Sequence, residues 1–277
     1  MEDLKIFDGI FDKHLKTDFE KNLLKACHSN LQDTNNSLRF NNYAYSLREL
    51  SRHLLKRLAP DDRILKCKWY KNEIPDKENG ITRNQRIKYA IQGGLLDSFI
   101  EEELGLDIFE TKKKLKDAIT ILNKHTHVNE DTFALEKETV KKHVSEINDA
   151  FSELFSDIEL CRNEIVSGIE SAIDEALIQR TVDDVIEDLD ELSTHHTINY
   201  LDYDIKVKTI DDSEIIIDVT GNINVTQQFG SNGDLKRGDG YEIENSFPYD
   251  VELKCPLDKV TDFKPVIETI NVNTDDW

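Results

Sequence analysis

The sequence predicts an α+β protein: an N-terminal helical bundle, a long coiled-coil-like helix, and a C-terminal antiparallel β-sandwich or open barrel. Three observations carry that expectation. Apolar residues keep helical spacing through the first part of the chain; Val140, Val144, Ile147, Phe151, Leu154, Ile158, Cys161 and Ile165 then recur in alternating steps of four and three; beyond His195-His196 the period falls to two. The expected domains are residues 1–128, 129–194 and 195–277, and a chain of 277 residues has room for more than one.

In the bundle, Ile6, Phe7, Ile10, Phe11, Leu15, Phe19, Leu23 and Leu24 mark a helix from Leu4 to about Leu31, ended by the Asn-rich stretch Asp33 to Ser37. Phe40, Tyr43, Leu47, Leu50, Leu54 and Leu58 form one stripe of a second helix, which stops at Ala59-Pro60 because proline disfavours helical geometry in the residue before it. A connector holding Trp69, Tyr70 and the polar loop Pro75 to Gly80 leads to a short helix, Arg83 to Gln92, closed by Gly93-Gly94. Asp97 to Leu104 and Ile108 to Leu122 complete the bundle.

Asn129 is the expected N-cap of the long helix, since Glu130 and Asp131 then occupy the first turn, where acidic groups offset the helix dipole. After Ile165 the steps become four and four, the drift of a helix leaving a supercoil for a broader surface. Thr181 with Asp184 is a second start signal, so a bend is expected near Arg180. A rod on the order of 75 Å at ~1.5 Å per residue needs a partner, either its own bundle or another copy, and a homodimer or higher oligomer is expected.

In the last third, Leu201, Tyr203, Ile205 and Val207 alternate with charged residues, and after a turn at Asp211-Asp212 one apolar face runs Ile215, Ile217, Val219, Ile223, Val225. Gly221 within it predicts a bulge or kink. Phe247 to Cys255 and Val266 to Val272 read as further strands, and Gly230 to Gly240 as a mobile Gly-rich loop, too long for a hairpin turn.

A net charge of −21 excludes coating of nucleic acid or anionic membrane through bulk electrostatics, so any nucleic-acid site must be local. Cys27, Cys67, Cys161 and Cys255 lack CxxC or His-paired spacing and read as reduced thiols of a cytoplasmic protein. The opening MEDLKIFDGIFDKHL has no basic or apolar signal region, and no apolar run of about 18 residues follows, so neither export nor membrane insertion is expected. Dinucleotide, Walker A and G-x-S-x-G motifs are absent from the sequence.

The local site is expected between Arg39 and Tyr89, where thirteen basic residues stand against six acidic ones, a local excess of +7. Interleaved Trp69, Tyr70 and Tyr89 offer stacking faces for bases while cations take phosphates. Arg52, Lys56, Trp69, Arg83, Arg86 and His125 are the expected nucleic-acid contacts. The competing reading docks this basic face on the acidic half of the chain or on a second subunit. Arg48 to His53 resembles the R-x4-H motif of the HEPN ribonucleases, which implies metal-independent RNA cleavage by Arg48 and His53, with Glu49 standing where that family carries a small polar residue. In an uninterrupted helix those two lie about 140° apart, so convergence requires a distortion or a second copy.

His127, paired with His125 in Asn123-Lys-His-Thr-His127, joins the candidate acid–base groups; the competing reading is a helix terminus whose histidines offset the dipole. No zinc partners accompany them, and no cofactor is expected. A different chemistry is offered by Glu252-Leu-Lys254, which resembles the E-x-K of restriction-endonuclease-like nucleases; Asp218 or Asp239 would then help Glu252 hold Mg²⁺ while Lys254 aids water activation.

Ser46 to Arg57, Thr82 to Gly94, Leu122 to His127 and the Gly230 to Gly240 loop together resemble the bacterial proteins called predicted pPIWI-associating nucleases. That resemblance implies a nuclease in a prokaryotic anti-phage or mobile-element defence system, acting on RNA if the HEPN-like pair is its site, and a defence-system protein as a possible partner. The alternative is a non-catalytic oligomeric scaffold or sensor subunit of such a system.

Overall fold

The computed structural model describes residues 13–183, 189, 191–260 and 266–274. The apolar positions expected between Ile6 and Phe11 lie outside them. Two compact units divide the chain, residues 1–161 and 162–277.

In the first unit, α1 (Asp18–Gln32) opens on a capping box in which Thr17 Oγ1 accepts the Glu20 N–H and Glu20 reaches back to the Thr17 N–H. Glu20 is buried and takes Arg57 Nε at 2.8 Å, tying α1 to the centre of the bundle. That centre is α2 (Arg39–Leu58), whose stripe of Phe40, Tyr43, Leu47, Leu50 and Leu54 is fully inside. A single turn, α3 (Asp61–Ile64), follows Pro60, and α4 (Arg83–Gln92) starts on a second capping box between Thr82 and Gln85. Asp97 to Leu104, expected as a helix, contains one π-helical turn at Phe99–Glu103. α5 (Phe109–His125) then packs, with α1 and α4, around α2.

The long helix, α6 (Lys137–Asp183), begins eight residues after the expected cap. Its would-be first turn is diverted: the Thr132 hydroxyl donates to the His127 carbonyl at 2.8 Å and accepts the Asn129 N–H at 2.8 Å, and Ala134 sits at φ 50°, in the left-handed region. Val140, Val144, Ile147, Phe151, Leu154, Ile158 and Cys161 are all buried, at most 2 % exposed, within this one chain. The ring of His14 stacks on Phe155 at 4.0 Å, while Thr111 and Lys114 of α5 reach Asp157 and Glu153. From Val140 to Cys161 the heptad seam is therefore covered by its own bundle. Helical backbone continues through Arg180 to Asp183; residues 184–188, which include Asp184 of the second start signal, lie outside the described set.

The second unit carries a four-stranded antiparallel sheet in the order β1-β2-β3-β4, with β1 at His195–Ile210, β2 at Glu214–Phe229, β3 at Tyr241–Pro256 and β4 at Val266–Val272. Alternation sorts its faces: Ile215, Ile217, Val219, Ile223 and Val225 of β2 and Phe247, Tyr249, Val251, Leu253 and Cys255 of β3 are buried, and Asp218, Glu252 and Lys254 take the opposite side. β1 pairs only with β2 and β4 only with β3, so the sheet is open rather than a closed barrel, and no second sheet stands opposite it among the described residues.

Gly221 is not a bulge. It pairs in register with Tyr203, and a Cβ there would overlap the Asp202 carbonyl, so glycine serves a close backbone approach. The register shifts in this pair fall instead between Ile198 and Tyr200 and between Val207 and Thr209. Gly230 to Gly240 is ordered as α7 (Asn232–Arg237), with a Ser231/Asp234 capping box and Gly238 closing it at φ 83°. No described helix is long and apolar enough to cross a membrane.

Candidate functional site

The face of α2 that turns away from the core carries Arg48, Glu49, Arg52 and His53. Arg48 is oriented from α5: its Nε donates to Asn123 Oδ1 at 2.8 Å, and its Nη1 reaches Glu49 at 3.2 Å. Arg52 also pairs with Glu49, at 3.0 Å, and its Nη2 meets His53 Nε2 at 3.1 Å. Arg83, in the first turn of α4, makes no ion pair among the described residues; partial desolvation and then the field of Arg48 pull it below the ordinary arginine range. One carboxylate, Glu49, thus stands between Arg48 and Arg52, and Arg83 lies within the field of Arg48.

Arg48 and His53 lie about 140° apart around α2 and make no direct contact, with Glu49 and Arg52 between them. α2 is a regular helix, and the two side chains find different neighbours: Arg48 meets α5, whereas the His53 ring lies edge-on to Phe19 of α1 at 4.9 Å. His127 is exposed just beyond α5, four residues after the Asn123 that holds Arg48.

Several expected contacts have other attachments. Arg86 donates to the Ala59 carbonyl at 2.9 Å and pairs with Asp61 at 2.7 Å, clamping the corner between α2 and α4. Trp69 donates Nε1 to the Gly93 carbonyl at 3.0 Å and lies under the Lys88 ammonium, 4.5 Å from its ring centroid. Lys56 is exposed. His125 is a core residue at 3 % exposure, packed on Phe40 and His143, so it is not presented to a polyanion. Burial, and then the neighbouring His143, push its pKa below the usual histidine value, which also goes against the competing reading of a cationic helix terminus. All four cysteines are buried and none forms a disulfide.

On the polar face of the sheet, Asp218 of β2 lies directly opposite Glu252 of β3, and Ile216 opposite Lys254. Lys208 of β1 bridges the two carboxylates, 3.2 Å from Asp218 and 2.8 Å from Glu252, and Lys254 stands 3.9 Å from Glu252. The hydrogen bond from Lys208 holds Glu252 below the ordinary carboxylate range. Asp239 is not part of this group. It pairs with Arg237 beyond the far end of β3, some eleven residues or roughly 36 Å of extended strand from Glu252. Among the described residues no cluster of three or more His, Cys, Asp or Glu side chains is placed to hold a metal ion.

Sequence reasoning missed Asn123 and Lys208. Asn123 lay inside a segment already singled out for its histidines, and Lys208 has the polar parity of β1, but neither partner is legible before α5 meets α2 and β1 meets β2.

A family model described as "Predicted pPIWI-associating nuclease" matches residues 12–151, and a second with the same description matches residues 158–277. No curated protein and no solved structure matches the chain. The two matches take in the helical bundle and the sheet alike, and the chain belongs to the predicted pPIWI-associating nuclease family.

Proposed function

We propose that this protein is an RNA-directed nuclease of a prokaryotic anti-phage or mobile-element defence system, gripping phosphate on the outer face of α2. Family membership supports a nuclease-like function. The observation that carries the finer reading is the pair of guanidinium ions, Arg48 and Arg52, sharing the single carboxylate of Glu49, with Arg83 close enough to Arg48 to feel its charge. Like charges held together are costly until an anion joins them, and a phosphodiester is the anion that matches guanidinium geometry. Asn123 and Glu49 use one N–H each of Nε and Nη1, which leaves Arg48 with donors for phosphate.

On this reading one imidazole takes the proton of the attacking 2′-hydroxyl as its oxygen bonds to phosphorus, and another donates a proton to the leaving 5′-oxygen. His53 and His127 fill those roles. Because Arg48 and His53 diverge on α2, the complete site is shared between two copies of the chain. The test is cleavage of end-labelled single-stranded RNA in EDTA. Wild type should give 2′,3′-cyclic phosphate ends, Arg48→Ala and His53→Ala should each lose at least about a hundredfold in rate, and mixing the two variants should restore part of it. An absence of cleavage under every metal condition would leave the scaffold or sensor reading in possession.

A second reading has its own observation, the pairing of Asp218 with Glu252, two residues along β3 from Lys254 on the same face. Two carboxylates and a lysine so arranged suit Mg²⁺-dependent hydrolysis, with Lys208 standing where the cation's charge would fall. Cleavage that needs Mg²⁺ and is lost in Asp218→Asn and Lys254→Ala, while surviving in His53→Ala, selects it over the first.

A further inference from the structure

We infer that a separate cleft between α4 and α5 holds single-stranded nucleic acid, with Phe109 as a base-stacking ring and Lys112, Lys113 and Lys116 on the phosphates. This goes beyond the α2 site and rests on the nuclease reading only for the choice of a polynucleotide as ligand. The cleft has a volume of about 480 Å³, within the roughly 300–1,000 Å³ range of small-ligand sites. Its walls combine Trp69 and Lys88 on one side with Phe109 and the α5 lysines on the other.

Phe109, Lys112, Lys113 and Lys116 fall at i, i+3, i+4 and i+7, a single stripe of α5, and the helix buries a different one, Leu115, Ala118, Ile119 and Leu122. Two carboxylates, Glu73 and Asp117, line the cleft against four lysines, so cationic charge is in excess there. Phe109 is 61 % exposed, an apolar ring left in solvent at the rim of the cleft. Lys112 and Lys116 make no ion pair among the described residues, although an i,i+4 pair of like charges weakens a helix. Lys113 has only a loose, exposed contact with Glu110 at 3.6 Å. Lys88 differs from them: Asp97 pairs with it at 2.7 Å and feels Lys112 only through the field, so Lys88 anchors the Trp69 wall while the α5 lysines supply the excess of positive charge. Cations alternating with an exposed ring along one edge suit a flexible strand, whose bases stack while its phosphates pair. An acidic peptide would satisfy the lysines and leave Phe109 without a purpose.

The test is fluorescence anisotropy with two labelled 12-mers that cannot be cleaved through a 2′-hydroxyl, 2′-O-methyl oligouridylate and oligothymidylate, titrated above 0.1 M salt. Phe109→Ala should weaken binding about tenfold with the salt slope unchanged, the loss of one stacked base. Lys112→Gln with Lys116→Gln should weaken binding and flatten the slope of log K against log salt by about 1.4, two phosphate contacts. All these side chains are on the surface, and circular dichroism checks that the helices persist. Wild-type binding by both variants, no binding by the parent protein, or displacement of the oligonucleotide by polyglutamate at equal charge concentration would overturn the inference. Weakened binding with cleavage absent in the parent removes the nuclease reading and keeps the cleft; unchanged binding with cleavage intact does the opposite.

Discussion

His125 carries an imidazole into an apolar setting, with Phe40 at 4.9 Å and His143 at 5.4 Å between ring centroids and no hydrogen-bond partner for Nδ1 among the described residues. The charged groups facing it are His143, which contacts Glu146, together with Lys124 and Asp131. Burial, then the fields of His143 and Lys124, disfavour its protonation, and Asp131 only partly opposes them. The folded-state pKa is therefore below that of the unfolded chain. Below about pH 6.5 the unfolded state takes up the proton first, so stability present at neutral pH is lost as pH falls through that value toward the folded pKa. The urea midpoint should drop between about pH 7 and pH 5, and His125→Phe should flatten that dependence. Asp61 and Asp97 do not confuse the measurement: Arg86 lowers the first, and Lys88 outweighs burial at the second, so their stabilisation is lost only in the ordinary carboxylate range near pH 4. The sequence does not say which of His125 and His127 faces the core; their fates part because two residues span about half a helical turn, so His125 closes α5 on its buried side and His127 lies exposed beyond it.

At the scale of elements, α6 shows why a heptad pattern names a seam without naming its partner. Burial of Leu154 and Phe155 inside one chain means that a second helix is not needed to cover the stripe. Leu154→Ala should cost about 2–5 kcal/mol through lost transfer energy and a cavity. That loss, read from urea unfolding, should be the same at low and high protein concentration; a loss that vanishes at high concentration would return the seam to an intermolecular role. In the sheet, period-two alternation identified β1 to β4, and the buried faces of β2 and β3, because a half-buried strand has only two sides. It did not identify the Gly230 to Gly240 segment as α7. Glycines at 230, 233, 238 and 240 masked a Ser231/Asp234 capping box that was present in the letters.

Over the whole molecule, a charge of −21 surrounds cationic groups that are only local, and the two act at different ranges. At 0.01 M salt the screening length is about 30 Å and the whole chain repels a polyanion; near 0.15 M it is about 8 Å and only nearby cations are felt. Association of a single-stranded oligonucleotide should therefore speed up as salt rises from 0.01 to 0.15 M, the reverse of a uniformly basic binder. Stopped-flow fluorescence reads this directly, and a rate that falls throughout that range would show that the basic face dominates at all distances.

What the sequence by itself determined is whatever depends on neighbours along the chain: helical and strand periods, the order of bundle, long helix and sheet, the stop at Pro60, and family membership. Tertiary structure decided everything that depends on which surfaces meet. It turned a candidate coiled coil into the wall of its own bundle, removed His125 from solvent and gave Arg86 to Asp61. It also gave Arg48 to Asn123 and set Asp218 against Glu252 while leaving Asp239 at the far end of β3. The physical reason is that periodicity reports only that a face is buried or polar, whereas the identity of the group across from it is settled by packing between segments distant in sequence.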